Sequence, residues 1–511
     1  MRQYEMYEMA FKGTAPENSY VEVELQADFR IEDETITVKG FYAGNDTYKI
    51  RFYPSKCGCY HYQVHGIAEA EGDIECKPAE GAHGIVYPHG THFQYGDGSW
   101  YYPFGTTVYA LVHQPTERIR QTLETLREAT FNKIRICVFP KYFDFNHEEP
   151  ECFPFERNAD GEWDVQKPFF EFWDRLDDII KQLDGLGIQC DLILFHPYDK
   201  WGFSQLSREQ GRVYLEYLVR RLSALPNLWW SLANEYDIMA YQKADWEYFA
   251  AYLHENDVYG HLLSNHNMIK QWDFSNKDTT HVCLQIKRLD EISRQIAEFQ
   301  KPCMVDECCY EGNISFEWGN ISAFEMVDRF WKTCVQGAYC THGETFLCDD
   351  EVLWWSKGGV LKGESPERIA FLRNIIESLP GPLMYSGHDM TEEEVVQLME
   401  NPPEELKNSP FARLASEITW PEIKQMMLEG KVFGGQAGEE AYLIYYSHHC
   451  NAVGVMELPT DNCYDVEVID VWEMTRKTVQ SRVNGHIEVR LPGKEGIALM
   501  ALQCKINNKF F

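Results

Sequence analysis

NLWWSLANEYD, residues 227–237, is an almost unbroken apolar run that ends on an amide and two acids. A short apolar run closed by polar residues reads as a strand buried on both faces, as in a parallel sheet. Runs of the same kind recur on both sides of it. Upstream stand YYPFGTTVYAL (101–111), NKIRICVFP (132–140) and IQCDLILFHP (188–197); downstream stand HLLSNHN (261–267), HVCLQI (281–286), PCMVDECC (302–309) and AYCTHGETF (338–346). Helical stretches fall between most of them. In residues 168–184, Phe169, Phe172, Leu176, Ile179, Ile180 and Leu183 recur at spacings of three and four, and residues 115–129 and 321–335 repeat the pattern. Eight strands alternating with helices over residues 88–385 fit a (β/α)8 barrel better than an open sheet.

The flanks read differently. Residues 1–87 carry period-two stretches, VEVELQADFR and DETITVKGFYAGNDTYKIRFYP, with a turn at Gly44-Asn45-Asp46, and predict a β-sandwich. Residues 386–430 are acidic and helical, as in TEEEVVQLME and FARLASEI, and form a connector broken by Pro402-Pro403. From 431 to 511 the short strands AYLIYYSH, CYDVEVIDVW, GHIEVRLPG and GIALMALQ predict a second β-sandwich. The fold class is therefore α/β: a TIM barrel flanked by two small β-sandwich domains.

Composition narrows the function. Asp plus Glu number 80 against 47 Lys plus Arg, a net charge of −33. That excess argues against a nucleic-acid partner, which needs a basic face, and against an anionic membrane surface. No apolar run has the length of a signal peptide or a membrane span, which gives a cytoplasmic expectation. The 16 cysteines lie mostly in strand-like runs and lack paired zinc spacing, so they read as free thiols with no metal site. Phosphate loops, dinucleotide fingerprints and nucleophile elbows are absent, and no cofactor is expected. The oligomeric state stays open, and a homo-oligomer is compatible with the sequence.

Barrels of this kind place their chemistry at the C-terminal ends of their strands. The fourth run ends in Asn234-Glu235 and the seventh in Asp306-Glu307. Two carboxylates at one mouth suit glycosidic bond cleavage: one protonates the leaving oxygen while the other attacks the anomeric carbon. A plainer reading makes each acid the first-turn acid of the helix that follows.

WWSLANEYD and the glutamate closing strand seven resemble the signature of clan A retaining glycoside hydrolases, and FGTTVYAL resembles strand one of apiosidase-like barrels. That resemblance implies an N-terminal β-sandwich, a C-terminal β-domain and a carbohydrate substrate. It makes Glu235 the general acid/base, Glu307 the nucleophile, Asn234 a hydrogen-bond partner of the sugar 2-hydroxyl, and Arg135 a neighbour of the nucleophile. Glu235 stands where apiosidases often carry Asp, which argues against apiose as the sugar. His196, Tyr198 and Trp201 after strand three, His266 after strand five and Glu344 after strand eight are candidate sugar contacts, with Trp354 or Trp355 as the floor of the subsite. Tyr310, three residues after Glu307, is placed to orient the nucleophile. A non-catalytic sugar-binding barrel, a lyase and a transglycosidase using the same two acids remain alternatives.

Overall fold

The structure, a computed structural model, describes residues 1–402, 404–407, 410 and 418–504. Residues 104–342 contribute eight strands to one parallel sheet: β1 (Phe104–Thr107), β2 (Lys133–Cys137), β3 (Gln189–Phe195), β4 (Leu228–Ala233), β5 (Leu263–Ser264), β6 (Val282–Gln285), β7 (Cys303–Glu307) and β8 (Tyr339–His342). They pair in the order β5-β4-β3-β2-β1-β8-β7-β6, every pair parallel. The seam between β5 and β6 is bridged just ahead of β6. There Thr280 N–H donates to Leu263 O at 2.8 Å and Ser264 Oγ to His281 O at 2.7 Å. This is the expected barrel.

Helices α1 (Thr116–Glu128), α2 (Phe170–Gly185), α3 (Arg208–Leu222), α4 (Lys243–Asn256), α5 (Ile292–Phe299), α6 (Ala323–Val335) and α7 (Ser365–Glu377) follow every strand but β5, after which the chain to β6 is irregular. The α2 stripe of Phe172, Leu176, Ile179, Ile180 and Leu183 is buried, as its spacing predicts. A reciprocal cap starts α3: Gln210 N–H donates to Ser207 Oγ at 3.2 Å, and Ser207 N–H to Gln210 Oε1 at 2.8 Å.

The barrel interior holds a charged layer. Lys133 Nζ lies 2.6 Å from Asp191 Oδ2 and 2.7 Å from Asp306 Oδ1, and Arg135 Nε lies 3.5 Å from Asp191. Thr341 Oγ1 donates to Asp306 at 2.7 Å. All five residues are buried, so the layer holds its charges by mutual pairing.

The chain forms two compact units. Met1–Lys287, Arg294–Met326 and Ala338–Arg373 make the first; Arg288–Ser293, Val327–Gly337 and the described part of Asn374–Phe511 make the second. The first unit holds the barrel and an N-terminal sandwich. One sheet of that sandwich orders Glu34–Lys39, Leu25–Ile31, Gly58–Gly66 and Ala70–Cys76; the other orders Tyr7–Lys12, Thr47–Phe52 and Phe41–Tyr42. Leu25–Ile31 alternates buried and outward residues, and Phe29 stacks on Phe52 across the core with ring centroids 3.8 Å apart. Arg51 of this sandwich donates to Asp177 of α2 at 2.6 Å, and Arg221 of α3 shares the same carboxylate at 2.9 Å.

The second unit holds a six-stranded sheet and the two-stranded pair Val453–Leu458 with Gly485–Arg490. Met456 and Ile487 of the pair share a core with Val466 and Leu499 of the sheet. The connector contains helices at Glu392–Glu400, Glu404–Lys407 and Trp420–Glu429; the expected helix over FARLASEI (411–418) lies, but for its last residue, outside the described residues. Among the described residues, no helix is long and apolar enough to cross a membrane.

Candidate active site

β4 is buried throughout, and Asn234 extends its ladder by donating N–H to Phe195 O at 2.9 Å. The chain then turns sharply. Glu235 takes left-handed backbone angles, φ 57° and ψ 55°, a conformation that costs a non-glycine residue about 1 kcal/mol. The bonds on either side hold it there, because Tyr236 N–H donates to His266 O at 2.9 Å. The Glu235 side chain makes no cap to the short 3₁₀ turn Tyr236–Ile238. Asp237 serves the local backbone instead, accepting from Met268, Ile269 and Lys270 N–H at 2.6, 2.8 and 2.6 Å. Glu235 Oε2 accepts from the Tyr198 hydroxyl. Burial, then the charge of Glu307, push the Glu235 carboxyl above its ordinary range against the opposing pull of Lys141 and Tyr198.

Glu307 ends β7, where the register with β6 shifts between Leu284 and Gln285. Such an irregularity re-aims a side chain at a barrel rim. Its Oε1 accepts from the Tyr109 hydroxyl and lies 3.3 Å from His266 Nε2 and 3.5 Å from Arg135 Nη1. Burial alone would raise its pKa. The His266 hydrogen bond and the charges of His266, Arg135 and Lys141 outweigh burial and hold the carboxyl at about 2. One cleft thus displaces two carboxyls in opposite directions.

The cleft has a volume of about 720 Å³ and is lined by both glutamates. Of the residues singled out in the sequence, Asn234, Tyr198, Tyr310 and Trp355 line it too. Asn234 Oδ1 accepts from Tyr109 at 3.1 Å and Arg135 at 3.4 Å, which turns its amide nitrogen away from them. Arg135 and His266 stand behind Glu307. Four candidates lie elsewhere. His196 is buried with Nε2 3.0 Å from Phe139 O. Trp201 donates to Glu149 at 2.7 Å beside a separate cavity. Trp354 is buried against β1, donating to Thr106 Oγ1 at 2.8 Å. Glu344 accepts the N–H groups of Lys362 at 2.6 Å and Gly363 at 2.9 Å, and burial raises its pKa to about 7.

The cleft also holds residues that the sequence reading passed over. Tyr109 comes two residues after β1 and Lys141 four after β2, so the strand-end rule applied to those runs would have found both. Phe143 and Trp318, from long loops, give no such signal. Two buried donor sets have metal-like spacing: His266, Cys283 and Asp306, and Glu311, His342 and Glu344. Asp306 already takes hydrogens from Lys133, Thr341 and Cys283, and both carboxylates of the second set take backbone N–H groups.

A parallel eight-stranded barrel with paired carboxyls in one cleft at its strand ends is the architecture of a glycoside hydrolase, and the family match and a 32% identical relative bear that class out. Residues 88–380 match the family described as "Apiosidase-like, catalytic domain", and the chain belongs to that family. Residues 1–66 and 430–503 match two domains of unknown function, DUF5060 and DUF5605.

A crystal structure from Bacteroides vulgatus ATCC 8482, provisionally described as a glycoside hydrolase, is 32% identical. It has a TM-score of 0.85, covering 98% of this chain and 99% of its own. A glycoside hydrolase family 5 structure from the same organism shares the fold at 13% identity and a TM-score of 0.60, covering 83% of this chain and 94% of its own. Another glycoside hydrolase shares it at 12% and 0.59, covering 83% and 98%. No curated protein matches the chain.

Proposed function

We propose that the protein hydrolyses glycosides by double displacement, with Glu307 as nucleophile and Glu235 as acid and then base. The opposite displacement of the two carboxyls carries this reading. A nucleophile must be ionised, and the hydrogen bonds and cations around Glu307 favour that form. An acid must keep its proton, and the desolvated pocket of Glu235 favours that form. In the first step Glu307 Oε bonds the anomeric carbon as the glycosidic C–O bond breaks, and Glu235 gives its proton to the departing oxygen. In the second, Glu235 takes a proton from water, the water oxygen bonds the anomeric carbon, and Glu307 leaves.

Asn234 presents its amide N–H groups to the sugar, and Trp355 and Trp318 offer faces to its C–H surface. The cleft volume suits a short glycoside. The reading extends to a cytoplasmic setting, supported by sixteen cysteines present as free thiols.

The test is to trap Glu307 with a 2-fluoroglycoside and map the labelled peptide. Label on another residue removes the nucleophile assignment. Glu235→Ala and Glu307→Ala should each lower kcat/KM on an active aryl glycoside by about 10²–10⁴-fold.

A further inference from the structure

The cleft has two kinds of wall. The segments after β8, β1, β2 and β3 bring rings to it: Trp355, Tyr109, Phe143 and Tyr198. The segments after β4, β5 and β6 bring apolar side chains without rings: Ile238, Met268, Ile269 and Ile286. Ile269 is 82% exposed, Ile238 46% and Met268 40%. Single exposed hydrophobics are ordinary, but four on one wall of a cleft make a contiguous binding surface. Their backbone is fixed to the two acids. Ile238 donates N–H to Glu235 O at 3.3 Å, and Ile286 donates N–H to Glu307 O at 3.0 Å. Asp237, two residues after Glu235, holds the N–H groups of Met268 and Ile269.

The reaction decides which wall meets which part of a glycoside. The glycosidic oxygen takes the proton of Glu235 and departs with the aglycone, on the side away from Glu307. The aglycone therefore lies beside the turn that Glu235 heads, which is the ringless wall. A second sugar there would need a flat ring under its C–H face and hydrogen-bond partners for its hydroxyls. Isoleucine and methionine side chains supply neither. Two polar residues share that side after β6, and both have partners: Gln285 Oε1 lies 3.2 Å from His266 Nε2, and Lys287 pairs with Glu317. The remaining cations of the cleft, Arg135 and Lys141, act on Glu307, so a charged aglycone gains nothing from them. An apolar aglycone takes the four exposed side chains out of water along with its own surface.

We infer that Ile238, Met268, Ile269 and Ile286 form the leaving-group subsite, and that the substrates are glycosides of an apolar alcohol, aryl or alkyl, in preference to oligosaccharides. This names the substrate class of the site proposed above and rests on that reading.

The experiment is calorimetric binding to the full chain carrying Glu235→Gln, which holds back turnover, with and without the pair Ile238→Ser and Ile269→Ser. Both isoleucines are exposed, so the pair leaves the core alone. The probes are methyl and 2-naphthyl glycosides of glucose, galactose, mannose and xylose in both anomers, with cellobiose, lactose and mannobiose as the disaccharide arm. Free 2-naphthol tests the wall without a matching sugar. At least one 2-naphthyl glycoside should bind about tenfold or more tighter than its methyl glycoside and tighter than any disaccharide. The serine pair should weaken 2-naphthyl glycosides and 2-naphthol by about tenfold and leave methyl glycosides within about twofold. The inference is overturned if 2-naphthol binds both proteins equally, if the serine pair keeps the naphthyl preference, or if a disaccharide binds best. Turnover by wild type separates the two readings. Wall-dependent naphthyl binding with no turnover of any glycoside keeps the apolar subsite and removes the hydrolase mechanism. Turnover of disaccharides with no naphthyl preference keeps the mechanism and removes the subsite.

Discussion

Glu235 combines a left-handed backbone with a desolvated carboxyl, and both follow from its place one residue beyond the β4 ladder. Its protonation should set the alkaline limb of kcat/KM, while the acid limb waits for Glu307 near pH 2. Activity should therefore hold through the ordinary carboxylate range and fall on the alkaline side. The Tyr198 hydroxyl favours the ionised form of Glu235 by donating to it. Tyr198→Phe should thus raise the Glu235 pKa, and the alkaline limb of the pH–rate profile should move to higher pH. An unmoved limb with a lower rate would make Tyr198 only a packing residue. The two acids were legible because each ends an apolar run in a carboxylate. Trp354 and Trp355 were not separable, because neighbouring residues of one short helix point about 100° apart and sequence does not say which faces the cleft. Lys141 directly follows the β2 run, where the strand-end rule would find it, but a lysine there reads equally well as an ordinary solvated loop cation.

One buried carboxylate in the joint between sandwich and barrel takes two guanidiniums. Asp177 of α2 receives Arg51 and Arg221 and is buried. Burial pushes its pKa up, but the two guanidinium charges outweigh burial and hold it at about 2. A depressed folded pKa adds stability above the unfolded value of about 3.9, and that stability is lost as pH falls toward the folded one. Asp177→Asn should destabilise the protein by about 1–3 kcal/mol at pH 7, because it takes the buried partner from two guanidiniums that keep only the more exposed Glu8 and Asp174. Urea unfolding at pH 7 and at pH 3 should show a smaller acid loss in the variant than in wild type. Ser207→Ala, removing the α3 cap, should cost about 1 kcal/mol in the same assay. The helices with apolar stripes were legible in the sequence, as was the strand alternation. The interior charged layer was not, because a Lys, an Arg and two Asp spread over three strands declare their pairing only once the barrel brings them together.

Across the whole molecule, the sequence pattern follows the barrel strands and the terminal strands but not the division into units. Val327–Gly337, most of α6, belongs with the C-terminal strands. Asp328 ties it to them: it accepts from Tyr445 at 2.8 Å and Ser447 at 2.7 Å and sits 3.5 Å from His448, while Trp331 packs on Tyr445. An acid on a helix stripe gives no hint of partners more than a hundred residues away. The Asp328 hydrogen bond, joined by Glu495, raises the His448 pKa to about 9. A raised folded pKa gives stability that is fully present below the unfolded value of about 6.5 and lost as pH rises through the folded one. Calorimetry should show the melting of the second unit moving down between pH 6.5 and 9.5, and His448→Gln should flatten that dependence. A pH-independent wild-type transition would rule out the ion pair as a contributor.

The left-handed turn at Glu235 has a consequence in the genetic code. Glutamate and glycine codons differ by a single base, and glycine is the residue that adopts this backbone without penalty. One point mutation at position 235 therefore removes the acid and relaxes the turn together, leaving the aromatic cleft and Lys141 intact. Glu235→Gly should therefore lose turnover without losing stability, which thermal unfolding beside an activity assay would check.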